Sequence, residues 1–381
     1  MKSKTLMACF IILIFFISFG LITYTYHLHA TKSRKVPDLT SVERMGIEGL
    51  GEYYHIPGFT YSVIKEGEIV KEGASGFIYN GSNIKVSIEN QFNIGSLTKA
   101  FTGLIAAKLI DDGVISWDTN FFELYPDWKS ESNPAYDSIT LKDLLSMRAK
   151  IQPFTHGVID SKLPLSSINP IARRVEFGKY VLSLSPVPEG TYSNASFSLA
   201  SIMLENVSGK SWETLALQTA KEIGINIDFG RPNQKNVYQP WGHREDWFGN
   251  LDPVSPKETD TLPFVLAPSG DINMTISDMS KYVQVFIKGI LDEDAYIKSD
   301  TCNYLLFGIP EYSIGWGNAY DGDTYALHYG SDGTYYSHVM IFKELKSAII
   351  ILTNAPNNED TQNFINDLRN YLKLEYIYSL K

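Results

Sequence analysis

The sequence predicts an α+β fold: an α/β sandwich in which helices flank an antiparallel sheet, with a mostly helical lobe inserted into it. Three observations predict it. Runs rich in β-branched and aromatic residues gather towards the two ends, at residues 58–78 and 335–353. Apolar residues at helical spacing dominate between them. The chain has 381 residues and 44% hydrophobic composition, enough for one large domain or two lobes around a sizeable core.

Residues 1–35 read as a signal peptide or an N-terminal membrane anchor. Lys2 and Lys4 precede the uncharged run Leu6–Ile22, and Leu28-His29-Ala30 offers a weak cleavage site. An uncleaved anchor is the preferred reading. Either one places residues 36–381, read as a single domain, outside the cytoplasm. The sheet is expected from about 45–95 and 310–381, and the helical lobe from about 96–300. Gly58–Ile64 and Ile69–Phe77 read as strands around the turn at 65–68. Helices are expected at 97–110, stopped by Asp111-Asp112-Gly113, and at 139–147 with Thr140 as cap. Further helices are expected at 197–207, closed by Gly209, at 275–288 and at 360–374. Residues 226–266 are rich in Pro, Asn, Gly and Asp and read as a long excursion over the surface. Tyr335–Phe342 and Ser347–Thr353 read as an antiparallel hairpin.

Lys and Arg number 33 against 43 Asp and Glu, a net charge of −10, and no basic helix face stands out. A nucleic-acid partner is therefore not expected. The two cysteines, Cys9 and Cys302, make no disulfide framework. His-Glu-x-x-His, Cys-x-x-Cys, phosphate-loop and Gly-x-Ser-x-Gly patterns are missing, so neither a metal nor another cofactor is expected. Oligomeric state is not readable.

The chemistry centres on Ser96-Leu97-Thr98-Lys99. Ser-x-x-Lys occurs three times, so context must choose among the copies. Ser62 and Lys65 sit in a strand, where residues three apart face opposite ways. Ser82 and Lys85 follow the turn signal Tyr79-Asn80-Gly81. Only Ser96 opens a helix, with Lys99 on the same face one turn on. A serine hydroxyl needs a base, and a lysine serves only if burial or a neighbouring cation lowers its pKa. The bland alternative is an N-cap serine beside a surface lysine.

Two further motifs carry weaker signals. Tyr192-Ser193-Asn194 holds a phenol that can relay or accept a proton if cations depress its pKa, and an amide that can orient a lysine. A turn tyrosine with an Asn N-cap is the alternative. Leu327-His328-Tyr329-Gly330-Ser331 ends a predicted strand. His328 could supply positive charge or a hydrogen bond, and Gly330 could let a substrate backbone approach. An ordinary strand-end His and turn Gly is the alternative.

Taken together and in this order, the three motifs resemble the serine β-lactamase and penicillin-binding-protein superfamily, in particular its class C-like branch. Phe92–Lys99, Tyr192–Ala195, Pro268-Ser269-Gly270, Ile314-Gly315-Trp316-Gly317 and Leu352-Thr353-Asn354 fit the same pattern, so the resemblance covers roughly residues 45–375. It implies a β-lactamase/transpeptidase-like fold and a serine hydrolase acting through an acyl-enzyme. Ser96 would be the nucleophile, Lys99 its base and Tyr192 a member of the proton shuttle. Asn194 would hold Lys99 and contact the substrate amide. His328 would stand where many relatives have Lys, with Gly330 keeping the strand open. The backbone N–H groups of Ser96 and Ser331 would form the oxyanion hole. The substrate would be a small molecule or peptide: an ester, a D-amino-acid peptide or a β-lactam.

The sequence departs from that pattern in places. The third motif is His-Tyr-Gly rather than Lys-Thr-Gly, with a bulky Tyr329 in the middle. Met147-Arg148-Ala149-Lys150-Ile151 replaces a His-Thr-Ser-Gly-Leu-like loop. His243, in Gln239-Pro240-Trp241-Gly242-His243, is given a structural role. The competing reading from another class is a catalytically silent, membrane-tethered ligand- or wall-binding module on the same fold. A Ser-His-Asp hydrolase with His328 as base is a third; the missing elbow motif argues against it.

Overall fold

The structure, a computed structural model, describes residues 39–155, 169–258 and 261–378. The expected targeting segment lies outside them. Among the described residues no helix is long and apolar enough to cross a membrane.

Strands β1 (Gly58–Lys65) and β2 (Glu68–Gly76) form a hairpin. Short strands follow in mid-chain: β3 (Gln91–Asn93), β4 (Asp228–Phe229), β5 (His243–Glu245), β6 (Leu251–Pro253) and β7 (Ile272–Thr275). Then come β8 (Gly317–Tyr320), β9 (Thr324–Ser331), β10 (Tyr336–Phe342) and β11 (Ser347–Thr353). The main sheet is antiparallel, in the order β2-β1-β11-β10-β9-β8, so strands from both ends of the chain meet at β1 and β11. β11 is buried along its whole length, which explains its unbroken run Ala348-Ile349-Ile350-Ile351-Leu352: both faces are covered.

The helices that matter here are α1 (Leu39–Tyr53), α2 (Leu97–Asp111), α3 (Leu141–Leu145), α4 (Asn194–Ser208), α5 (Ile276–Ile290) and α6 (Glu359–Leu372). Leu50 and Tyr54 from the α1 end, and Phe364 and Leu368 of α6, pack with Phe59, Val63, Ile349 and Ile351 on one face of the sheet. The other face, with Ile64, Val339, Ile341 and Ile350, packs on α2, α5 and the middle of the chain. Residues Leu97–Ala107 of α2 are all buried, the polar Thr98, Lys99 and Thr102 among them, so the fold encloses this helix on every side.

The caps follow local chemistry. Thr140 and Asp143 make a reciprocal capping box on α3. Ser193, not Asn194, caps α4 by accepting from the Ser196 N–H, and Gly209 closes that helix with φ 67°. The alternative reading of Asn194 as the N-cap is thereby corrected: the Ser193 hydroxyl, which also donates to the Gln152 carbonyl, does that work. Residues 226–266 are more than a surface excursion. They supply β4 to a small sheet with β7 and β3, pair β5 with β6, and bury Asn233, His243 and Val254.

Two of the buried histidines, His243 and His338, lie away from Ser96 and stand as neutral imidazoles. His243 accepts from the Asn80 N–H and lies 2.6 Å from the Asn354 carbonyl, in a structural role. His338 on β10 is fully buried and neither ring nitrogen has a partner. Burial pushes His243 down to about 4; burial first, and the Arg369 charge second, push His338 down to about 3. Unfolding returns both to about 6.5, so the unfolded chain binds protons that the folded chain refuses. Their contribution to stability is full above that pH and is lost as pH falls towards 4. The melting temperature is expected to drop over that interval. His338→Leu should keep the stability at pH 7 and recover about 3 kcal/mol near pH 4. Thermal unfolding at both pH values checks this, and an unchanged acid loss in His338→Leu would reject it.

Candidate active site

Ser96 stands at the N-cap of α2 but makes no capping bond, so its hydroxyl is left for other work. Lys99 is fully buried, which rules out the surface-lysine alternative. Its Nζ lies 3.1 Å from Ser96 Oγ, 2.7 Å from Asn194 Oδ1 and 2.9 Å from the Ser269 carbonyl. Burial holds the Lys99 amine well below the usual lysine range. A neutral amine has two N–H donors and one lone pair. Asn194 Oδ1 and the Ser269 carbonyl can only accept, so in the neutral form they would take the two protons and leave the lone pair facing Ser96. That is the geometry of a base about to deprotonate a hydroxyl.

Asn194 is itself fixed. Its Nδ2 donates to the Phe154 carbonyl at 3.0 Å, and its backbone N–H to the Pro153 carbonyl. Phe154 holds φ 48°, and Met147 and Lys150 also have positive φ. The Met147–Phe154 segment thus stores backbone strain to bring a carbonyl under Asn194.

The Tyr192 hydroxyl is hydrogen-bonded to Ser96, and its ring lies 4.6 Å from Lys99 Nζ. The residue as a whole is partly exposed. Burial pushes this phenol up despite the Ser96 hydrogen bond. The depression by cations that the sequence reading required for a proton acceptor does not occur, and the Tyr192 phenol is held in its protonated form. β9 closes the other side of the cleft. Gly95 (φ 50°) packs so tightly on it that an added Cβ would lie 2.2 Å from the Ser331 nitrogen. The backbones of Ser96 and Ser331 are thereby brought side by side.

The beta-lactamase family model matches residues 46–371. The chain belongs to the beta-lactamase family. Protein flp of Staphylococcus aureus (strain MRSA252) is 22% identical over 85% of this chain, which spans 64% of that relative's length. Penicillin-binding protein 4 of Amycolatopsis lactamdurans is 21% identical, over 81% of this chain and 83% of its own. In fold the chain is similar to an octameric penicillin-binding protein homologue from Pyrococcus abyssi, with TM-score 0.68, 22% identity, and 88% and 78% of the two chains covered. It is also similar to a class C beta-lactamase from Rhodobacter sphaeroides, with TM-score 0.66, 17% identity, and 86% and 97% covered.

Within this beta-lactamase-family fold, two expectations about the third motif change. His328 does not bring positive charge. Its Nδ1 lies 2.7 Å from the Tyr329 carbonyl, which can only accept, so Nδ1 carries the proton. Burial first, and the Lys99 amine second, hold its pKa down to about 3. Gly330 does not make room for substrate. A Cβ there would lie 1.8 Å from the Ile94 carbonyl, so the space it leaves is taken by the chain's own turn before Ser96. Tyr329 points to the opposite face of the sheet, stacked on Tyr336 at 5.8 Å and near His338 at 4.9 Å, and does not obstruct the cleft.

Three supports were not singled out from sequence. Ser269 lies in the quoted Pro-Ser-Gly stretch, but that its carbonyl serves Lys99 is a backbone contact no side-chain pattern reports. Phe154 is equally silent. Tyr312, whose hydroxyl meets His328 Nε2 at 3.1 Å, stands two residues before the quoted Ile-Gly-Trp-Gly stretch. Gly330→Ala is expected to push β9 off the Ile94–Leu97 turn, costing about 1–3 kcal/mol or more and disturbing Ser96 as well. Thermal unfolding and Ser96 labelling measure this; wild-type values for both would contradict the close approach described.

Proposed function

We propose that the protein is a serine acyl-hydrolase that turns over an ester, a D-amino-acid peptide or a β-lactam through an acyl-enzyme on Ser96. One observation carries it: a fully buried Lys99, held by burial well below the usual lysine range, whose Nζ meets Ser96 Oγ, Asn194 Oδ1 and the Ser269 carbonyl. Ser96 Oγ attacks the substrate carbonyl and its proton passes to Lys99 Nζ. The backbone N–H groups of Ser96 and Ser331 receive the oxyanion. Tyr192 protonates the leaving group as the acyl–heteroatom bond breaks and regains a proton from Lys99. Water then attacks the acyl-enzyme, giving its proton back through the same pair, and the acid leaves with Ser96 restored.

The same reading places the domain outside the cytoplasm, tethered through the Leu6–Ile22 run. Support for this is the sequence pattern alone. The full chain should fractionate with membranes, and a chain lacking residues 1–35 should not; membrane association of the shortened chain would reject the tether.

A fluorophosphonate probe is expected to add one adduct to the full chain by intact mass, lost in Ser96→Ala. Turnover should fall by on the order of 10⁴-fold in Ser96→Ala and nearly as far in Lys99→Ala, because nucleophile and base act as a unit. No adduct would favour the silent binding module, and a mild Lys99→Ala effect would move the base role to Tyr192. The rate should fall as pH drops and Lys99 takes up a proton. Its half-point should lie well below the 10.5 of an ordinary lysine. A limb centred near that ordinary value would contradict a neutral Lys99.

A further inference from the structure

A polar cavity lies on the face of the sheet turned away from Ser96. Tyr325, Leu327 and Tyr329 of β9 pair there with Phe342, Met340 and His338 of β10. Arg369 and Asn370 of α6, and Lys373 just beyond it, close over these strands and leave a space of about 180 Å³. At one end Lys373 Nζ meets Asp323 Oδ2 at 2.9 Å, and the same oxygen accepts from the Tyr378 hydroxyl at 3.0 Å. The Asp323 charge is thus answered in place. Asp321, the other carboxylate of the lining, is exposed beyond the end of β8, where water solvates it.

The remaining polar groups of the lining are donors without acceptors. Arg369 is half-buried and has no hydrogen bond or ion pair among the described residues. Its guanidinium carries five N–H groups and accepts nothing. The Tyr329 hydroxyl and the Asn370 side-chain amide are also without partners among the described residues. Behind Tyr329, with ring centroids 4.9 Å apart, His338 is fully buried and neither of its ring nitrogens is satisfied. The Arg369 charge reaches that ring and opposes its protonation. An unpaired cation and an orphaned imidazole at one cavity mark a place where an acceptor-rich group belongs.

We propose that this cavity binds a phosphate group, with the Arg369 guanidinium as its bidentate anchor and the Tyr329 hydroxyl and Asn370 amide as further donors. A phosphate has oxygens enough for all three, where a carboxylate has two. Lys373 adds positive charge to the wall while Asp323 holds it in place. The cavity has the volume of about six waters, room for a phosphate bearing at most a small alcohol. It lies across β9 from the Ser96 cleft, so the inference stands apart from the acyl-hydrolase reading.

The test is a calorimetric titration of the full-length protein with inorganic phosphate and with glycerol phosphate, each against chloride at matched ionic strength. Saturable binding at a single site is expected for inorganic phosphate. Arg369→Gln should weaken it by about tenfold or more, and Tyr329→Phe, which keeps the ring stacked on Tyr336, by a smaller factor. Binding of glycerol phosphate as well would assign the site to phosphate monoesters; binding of inorganic phosphate alone would assign it to the free ion. Fluorophosphonate labelling of Ser96 should be unchanged by Arg369→Gln and by added phosphate. The proposal is overturned if phosphate binds no better than chloride, if Arg369→Gln binds as the wild type does, or if phosphate protects Ser96, which would put the anion in the cleft. Should Arg369→Gln fail to fold, the wild-type comparison with chloride and the Tyr329→Phe titration decide. Failure of the acyl-hydrolase reading looks different: Ser96 takes no label while the phosphate titration is unaffected.

Discussion

A lysine enclosed in the protein without a carboxylate is the constraint on which this site depends. Desolvation makes the charged form of Lys99 costly, so the group sheds its proton rather than its surroundings. Keeping it neutral requires acceptors, not anions. Asn194 Oδ1 and the Ser269 carbonyl provide them, and neither can take up a proton itself. A carboxylate in either place would pair with an ammonium and abolish the base. The fold surrounds Lys99 accordingly: α2 is buried through about three turns, α4 delivers Asn194, and the Phe264–Ser269 helical turn delivers the carbonyl.

These acceptors need their own supports, which explains features far from the nucleophile. Asn194 is oriented by Phe154, at the end of a segment with three positive-φ side chains. The Pro268 carbonyl one residue from Ser269 accepts from Thr102, whose hydroxyl receives the indole N–H of buried Trp212. Across the cleft, β9 is pressed against the Ile94–Leu97 turn wherever glycine allows, at Gly95 and Gly330. Strand and helix are locked by backbone contact, a stiffer joint than side-chain packing would make, and the alignment of catalytic groups needs that stiffness.

Much of this was legible in the sequence because it is local. The Ser96 helix start, the α3 capping box, the β10–β11 hairpin and the Gly209 stop are each decided by a few neighbouring residues. The two-ended sheet followed from where the strand-like runs fall. The illegible parts are contacts between segments distant in sequence. Gly330 read as an opening for substrate, since the sequence does not say which backbone approaches it; that backbone is Ile94. Asn194 read as a possible cap because Ser193 and Asn194 are both good caps, and only the helix's first turn decides between them. Residues 226–266 lack periodicity, yet their short strands pair with partners that the pattern alone does not name.

The charge of His328 shows why motif chemistry cannot be carried across by position alone. An imidazole titrates with its surroundings, and here they are Lys99, Tyr192, Tyr312 and the sheet. A cation at residue 328 would lower Lys99 by repulsion. In this chain that repulsion is not needed, because burial alone holds Lys99 down, and His328 is the group that responds to Lys99. The site has put its whole requirement for a neutral lysine on desolvation. Anything that admits water to α2 should therefore raise the pKa of Lys99 towards its ordinary value.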